Sequence, residues 1–482
     1  MTCRAKNAFL PKKEPKLEFY GKNNSEDARL LGRSITSIRR VQLDPSVTES
    51  YFGYIVGAAS VTGLLSNFLC GFIATRYRDI RVPLTFGIFC LILGNVTYLH
   101  VENFSSCCRK AVLVSRYLCG LSAGNSCLIS TFVAVFAAKD QLPRAIALTS
   151  WVSTLGMLLG PAFQNVFTAL GYPGYQLFHL SINQYNAPAL AAIVVNIIVL
   201  SAVPFLKMEK SMGEYKLLTK ETDYLVPEQF ESEKSEVRDS KDIFELYGYR
   251  AVPICLLTRF VQMFVLSMMD TIGSSYTMLM FHWNSTEVLL YGSRSSLVIG
   301  IIALLVHTIY SVVPQVRWTN HIRGCIYALA SFFFYFFISY PWSFVHDAEI
   351  GKNISTNCAD SPYVWCGHTH FVSTIRFYLP YYIFITVMCV LSLSNSTCLT
   401  LFADKKYQGI VQSLQQISSY ASTLVVSVVI GKTFTIYGPQ SVWIIEMVLT
   451  GGMAVVWVLV ALSWKFSEQK RRKYTKRFYV EE

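Results

Sequence analysis

Apolar residues in this 482-residue chain come in long runs separated by short polar segments, without the alternation of a half-buried strand. The runs fall at about 50–75, 82–101, 110–138, 144–169, 187–206, 249–281, 286–313, 323–346, 371–402, 408–433 and 441–465. Each is near the roughly 20 residues that a helix needs to cross a hydrocarbon core. In lipid a span has to be helical, because a lone strand would leave its backbone polar groups unpaired. The pattern therefore predicts an all-α polytopic membrane protein with eleven spans. The longest polar interruption, 207–246, leaves five spans before it and six after it. The expected layout is a basic tail over 1–44, a helix bundle over 45–206, a central loop over 207–246, a second bundle over 247–465 and a basic tail over 466–482.

Composition agrees with this pattern. The chain is 52% hydrophobic and only 15% charged, against roughly a quarter charged in a soluble domain. A net charge of +12 is compatible with nucleic-acid binding, but the excess sits in short connections and at both ends. Nucleic acid is therefore not an expected partner; the bilayer is. No small-residue cleavage site follows the first run, so no secretory signal is expected. Basic connections lie at 75–81, 207–246, 317–323 and 404–406 and in the tail 465–478. The intervening connections carry the glycosylation acceptors Asn103, Asn284 and Asn353, which mark the lumenal side if used. The C-terminus is then cytosolic. Eleven spans would place the basic N-terminus on the lumenal side, against the positive-inside rule. One more span near 38–44 would restore parity.

Three local motifs carry a resemblance. In "SRYLCGLSAGNSCLIS", Arg116, Gly120 and Gly124 share one helical face at i, i+4 and i+8. In "LGMLLGPAFQ", Gly156, Gly160 and Pro161 form a glycine–proline group suited to close helix approach and a tolerated kink. "GFIATRYRDIR" has Gly71 and Arg76 with Thr75 where an acidic residue is usual. Together these resemble the major facilitator superfamily, and "LGPAFQ", "INQY", "HWNSTEVLLY" and "KKYQG" resemble one lysosomal branch of it. The resemblance implies two six-helix halves, so that 50–75 is the second helix and the first is missing from this chain. It also implies a secondary active transporter of a small solute, alternating access between two faces, possible proton coupling and residence in late endosomes or lysosomes. An anion (chloride) channel or anion transporter is the alternative, and a non-transporting membrane interaction protein is a further alternative.

Ionisable side chains at membrane depth are functional candidates by default. Asp270 matches an acidic position of the resembled branch, and Arg259, eleven residues earlier, shares its helical face. Arg116 either attracts an anion or pairs with a carboxylate, or it snorkels to the interface. Glu287 and Arg294 lie seven residues apart and suit a polar site in the second half, although Glu287 also suits a helix start. Arg376 is expected at an interface, His307 as a satisfied buried histidine and Glu446 paired with a neighbour. "SFFFYFFISYPW" (331–342) reads as lipid-facing bulk with Tyr and Trp at the interface. Cys358 and Cys366 suit a lumenal disulfide better than a zinc knuckle. "EDARLL", with Glu26, Leu30 and Leu31, and "YKLL", from Tyr215 to Leu218, fit cytosolic sorting patterns that adaptors read. No nucleotide loop, nucleophile elbow or metalloprotease helix occurs in the sequence. No enzyme activity, metal or cofactor is expected.

Overall fold

A computed structural model describes residues 49–77, 80–101, 108–138, 141–168, 175–177, 180–182, 186–205, 231–281, 283, 285–313, 321–345, 365, 369–370, 372–403 and 407–478. The first half comprises α1 (Glu49–Tyr77), α2 (Arg81–Leu99), α3 (Cys108–Leu121), α4 (Gly124–Phe136), α5 (Leu142–Thr168) and α6 (Ala187–Ala202). A short antiparallel hairpin, β1 (Tyr175–Leu177) and β2 (Leu180–Ile182), precedes α6 and pairs Tyr175 with Ile182. The second half comprises α7 (Glu231–Phe281), α8 (Ser285–Val312), α9 (His321–Ser339), α10 (Thr374–Phe402) and α11 (Gln408–Phe478). Nine helices among the described residues are long and apolar enough to cross a membrane, and Ala58–Ala74 of α1 is a shorter apolar one. A helix covers most of every run read from the sequence. The expected extra span near 38–44 lies outside the described residues.

Three features depart from the sequence reading (the 110–138 run, the start of α7 and the aromatic run 331–342), while the break inside α11 follows it. The run 110–138 is two helices, α3 and α4, joined by a tight turn. In that turn Ala123 N donates to Gly120 O and Asn125 N donates to Ser122 O, at 3.1 and 3.0 Å. Ser66 of α1 inserts there, with its hydroxyl donating to Leu121 O and accepting from Gly124 N at 3.2 Å. A side chain wedged into the helical ladder is a known cause of such a break.

The runs 408–433 and 441–465 are two limbs of α11 that meet at Gly438, whose φ is +79°. A Cβ at Gly438 would also stand 2.7 Å from Trp365 Cδ2, so glycine is required there twice over. α7 begins at Glu231, inside the segment read as a loop. Its first turns, ESEKSEVRDSKD, set opposite charges at helical spacing in the pairs Glu231–Lys234 and Arg238–Asp242.

The aromatic run 331–342 is not simply lipid-facing. Phe334, Phe337 and Ile338 are exposed, but Phe332, Tyr335 and Phe336 are buried in the main core with Phe384, Trp443 and Trp457. Helical periodicity turns one side of α9 inward, which a run of uniformly apolar residues conceals. Arg376, at the start of α10, donates to Ile338 O and Tyr340 O at 2.7 and 2.6 Å. It thereby caps the carbonyl end of α9, where a cation also suits the helix dipole. His307 is buried and meets Ala303 O through Nδ1 at 2.7 Å, a satisfied core histidine.

Candidate functional site

The polar positions of α7 recur every three or four residues. Arg259, Ser267, Asp270, Ser274 and Thr277 therefore fall on one face of the helix. The first limb of α11 answers with Ser418, Ser419, Ser422 and Thr423. Arg259 Nε donates to Ser419 Oγ at 2.8 Å, and Ser267 and Thr423 share a hydroxyl hydrogen bond of 3.0 Å. Ser418 and Ser422 donate to the backbone carbonyls of Leu256 and Phe260 at 2.8 and 2.9 Å. Between membrane helices such bonds replace the hydrophobic drive that lipid removes.

Across α7, Gln262 accepts from Arg259 Nη1 at 3.0 Å and donates toward Met388 Sδ of α10 at 3.3 Å. Farther along, Tyr276 packs against Phe377 of α10 with ring centroids 5.2 Å apart. These two contacts run in opposite chain directions on α7 and α10, which brings Asp270 level with Tyr381. Asp270 is close enough for its charge to act on the Tyr381 hydroxyl.

Asp270 is exposed at mid-helix, and among the described residues its carboxylate accepts no hydrogen bond and forms no ion pair. It shares its helical face with Arg259 and Ser267, which are hydrogen-bonded to Ser419 and Thr423 of α11. Arg259 and Asp270 do share a face, as expected, but the structure does not bring them together. Eleven residues separate them by about 16 Å along the axis, and Arg259 is engaged by Ser419 and Gln262. Its guanidinium is only partly exposed, and the hydrogen bonds shown here are all to neutral groups.

The two halves meet toward the end that carries the basic connections. There Gly71 of α1 presses on Ser413, and a Cβ on it would lie 2.9 Å from Gly409 O. Cys127 of α4 points its thiol at the same Gly409 carbonyl, 3.8 Å away. A Cβ at Gly63 would reach the Tyr420 ring at 3.1 Å, one residue past Ser419. On the other side of the bundle Trp151 of α5 donates to Thr308 of α8 at 3.0 Å, and Leu158 fills the space over Gly300. Arg259 thus sits at the level where the halves close, and Asp270 stands three turns beyond it.

The remaining candidates divide. Gly120 and Gly124 are points of close approach: a Cβ at Gly120 would strike Thr62 and lie 2.5 Å from Ala59 O, and one at Gly124 would lie 2.7 Å from Ser66 Oγ. Gly156 and Gly160 behave otherwise, since a Cβ at either would meet nothing within 4 Å. The close packing expected there is not found among the described residues; the contact of α5 with α8 puts the glycine on α8, at Gly300. Pro161 lies in α5. Arg116 is half-buried on α3, near Cys119. Glu287 lies in the first turn of α8, as a helix-start acid should. Arg294 forms no hydrogen bond or ion pair among the described residues and shares an exposed face with Leu297 and Ile301, so the expected Glu287–Arg294 polar site is not assembled here.

Glu446 was expected to pair with a neighbour; its carboxyl oxygens are buried without a hydrogen-bond partner among the described residues, because the face it occupies is apolar. Asn103, Asn284, Asn353, Cys358, Cys366, Glu26, Leu30, Leu31, Tyr215 and Leu218 lie outside the described residues. Among those residues no cluster of His, Cys, Asp or Glu is suited to hold a metal ion.

The sequence profile described as Major Facilitator Superfamily matches residues 31–351. Major facilitator superfamily domain-containing protein 8 of Xenopus laevis is 24% identical over 311 residues, which cover 62% of this chain and 57% of that protein. The chain thus aligns with little more than half the length of that relative. Among solved structures, the human organic anion transporter MFSD10 (TETRAN) superposes with a TM-score of 0.60 at 14% identity, covering 90% of this chain and 93% of its own. The proton:xylose symporter XylE, bound to 6-bromo-6-deoxy-D-glucose, gives 0.63 at 13% identity, with 91% and 92% covered.

Proposed function

The chain belongs to the major facilitator superfamily, and from that premise we propose that it is a secondary active transporter of a small solute, with Asp270 as its proton-coupling group. Membership points to transport and not catalysis, in an integral multi-pass membrane protein. The observation that carries the finer reading is Asp270 itself. Among the described residues its carboxylate has no hydrogen-bond or ion-pair partner, and it stands on a polar face of α7, read here as the wall of a cleft, beyond the level at which the two halves close. A carboxylate in that position binds a proton from one side, and rearrangement of the halves would present it to the other. Alternating access around a site near the midplane is the mechanism such two-halved carriers use. Arg259, Ser419, Gln262 and Tyr381 surround the path, and a solute bound between them would bridge α7, α10 and α11.

The endolysosomal membrane is the proposed location. The acidic dileucine at Glu26, Leu30 and Leu31 and the tyrosine pattern at Tyr215 and Leu218 support it, as does the likeness to the lysosomal branch. The sequons at Asn103, Asn284 and Asn353 and a Cys358–Cys366 disulfide belong to the same proposal, on the lumenal side.

Anion passage is a second reading with its own support. Arg259 brings a positive charge to the level of closure among neutral hydrogen-bond partners, and such a group suits a chloride ion or an organic anion. MFSD10, whose fold the chain shares, is an organic anion transporter.

Reconstituted vesicles separate the two. An imposed pH gradient should drive solute uptake by the wild-type protein, and Asp270→Asn should abolish that dependence while the folded protein is retained. Uptake that keeps its pH dependence in Asp270→Asn refutes the coupling role. Anion current lost in Arg259→Ala, with Asp270→Asn unaffected, would favour the second reading.

A further inference from the structure

The second limb of α11 holds a carboxylic acid that the transport reading does not use. Glu446 is 0% exposed, and neither Oε1 nor Oε2 has a hydrogen-bond partner among the described residues. It shares a buried face with Val442, Trp443, Thr450, Met453 and Trp457, spaced by three and four residues.

Two anchors fix what that face meets. The Trp443 ring stacks on Tyr276 of α7 at 4.7 Å, while its Nε1 donates to Ser339 of α9 at 2.9 Å. Trp457 Nε1 donates to Thr258 of α7 at 2.8 Å. The limb therefore runs antiparallel to α7, and interpolation between the anchors sets Glu446 level with Ile272. On α9 the contacts Trp443–Ser339 and Gly451–Phe333 set it level with Phe336. Ile272 and Phe336 are both buried and apolar.

The titratable groups nearest that level are phenols, Tyr276 of α7 and Tyr335 of α9. The charged residues described on these helices lie elsewhere: those between Glu231 and Arg250 at the start of α7, Arg259 more than three turns away, Asp270 on the polar face of α7, and His321 and Arg323 at the start of α9. A carboxylate anion at Glu446 would lose its hydration and gain neither a donor nor a cation in return.

We propose that Glu446 is a proton-binding site separate from the cleft. It holds its proton as the neutral acid while α11 is packed on α7 and α9, and releases it only when that packing opens. In the release the O–H bond breaks, the proton passes to entering water, and the carboxylate is left hydrated. α7 carries Asp270 toward the cleft on one side and closes over Glu446 on the other. A shift of α7 against α11 therefore changes the surroundings of both acids at once. The proposal does not depend on Asp270 being the coupling group.

Infrared spectroscopy of the full chain in phosphatidylcholine nanodiscs tests it. At neutral pH the wild-type protein should show a protonated-carboxyl C=O band that Glu446→Gln lacks and Asp270→Asn keeps. Isotopic labelling of the glutamate carboxyls should move the same band in the wild-type protein, so the assignment does not hinge on how the variant folds. Raising the pH should remove the band together with a change in tryptophan emission, because Trp443 lies one turn from Glu446, and Glu446→Gln should show no such linked change. A neutral-pH spectrum with no glutamate-sensitive acid band overturns the proposal, as does loss of the band with tryptophan emission unchanged. Because Asp270→Asn uptake is measured separately, failure here leaves the transport reading intact, and failure there leaves this one.

Discussion

A methyl group added at Gly120 and one added at Gly156 should have opposite effects. At Gly120 the new Cβ meets Thr62 of α1 and stands 2.5 Å from the Ala59 carbonyl oxygen. The carbonyl is backbone within a helix and cannot swing away, so α1 and α3 must separate. Forcing one extra carbon into a filled contact costs about 1–3 kcal/mol. Alanine returns up to about 1 kcal/mol through its better helix propensity. With the full propensity gain, Gly120→Ala is therefore expected to lose about 0–2 kcal/mol. Gly156→Ala meets nothing within 4 Å, so only the propensity gain remains and the change should be neutral or stabilising by up to about 1 kcal/mol. Thermal unfolding of both variants in the same detergent, at one scan rate, gives the comparison. A lower midpoint for Gly120→Ala than for wild type, with Gly156→Ala unchanged or higher, agrees with the packing described. Equal destabilisation by both substitutions would refute it.

Other substitutions probe the same architecture. Ser66→Ala removes the hydroxyl that bridges Leu121 O and Gly124 N, leaving buried backbone groups short of partners at about 1–3 kcal/mol; a midpoint equal to wild type would show that the wedge does not hold the α3–α4 turn. Arg376→Met keeps most of the side-chain volume and loses the two donors to Ile338 O and Tyr340 O, so proteolysis at the 339–345 turn should quicken. No change in cleavage rate would deny the capping role.

The spans were legible because lipid imposes a length and requires helix, and both constraints act along the chain. The α3–α4 break was not, because its cause, Ser66, sits more than fifty residues away in sequence on another helix. Asp270 and Arg259 were legible as costly charges in apolar runs. Their actual surroundings were not, since Ser419, Thr423, Gln262 and Tyr381 are ordinary polar residues until packing sets them opposite α7. The spacing of 418, 419, 422 and 423 in "SSYAST" does carry a signal, a helical face of hydroxyls. Glu446 shows the reverse case: the sequence marked the charge, and only burial without a partner distinguishes a proton holder from an ion pair.

The central claim is that Asp270 faces a cleft open at the end opposite the basic connections. The most direct measurement is the accessibility of Asp270→Cys to a membrane-impermeant thiol reagent in sealed vesicles of known orientation, read as the increment over the native cysteines. The account predicts labelling at position 270 from the side opposite the 75–81 and 404–406 connections, and its loss when α1 and α11 are separated at Gly71 by substitution with valine. Labelling only from the basic side, or only by lipid-soluble reagents, would contradict it.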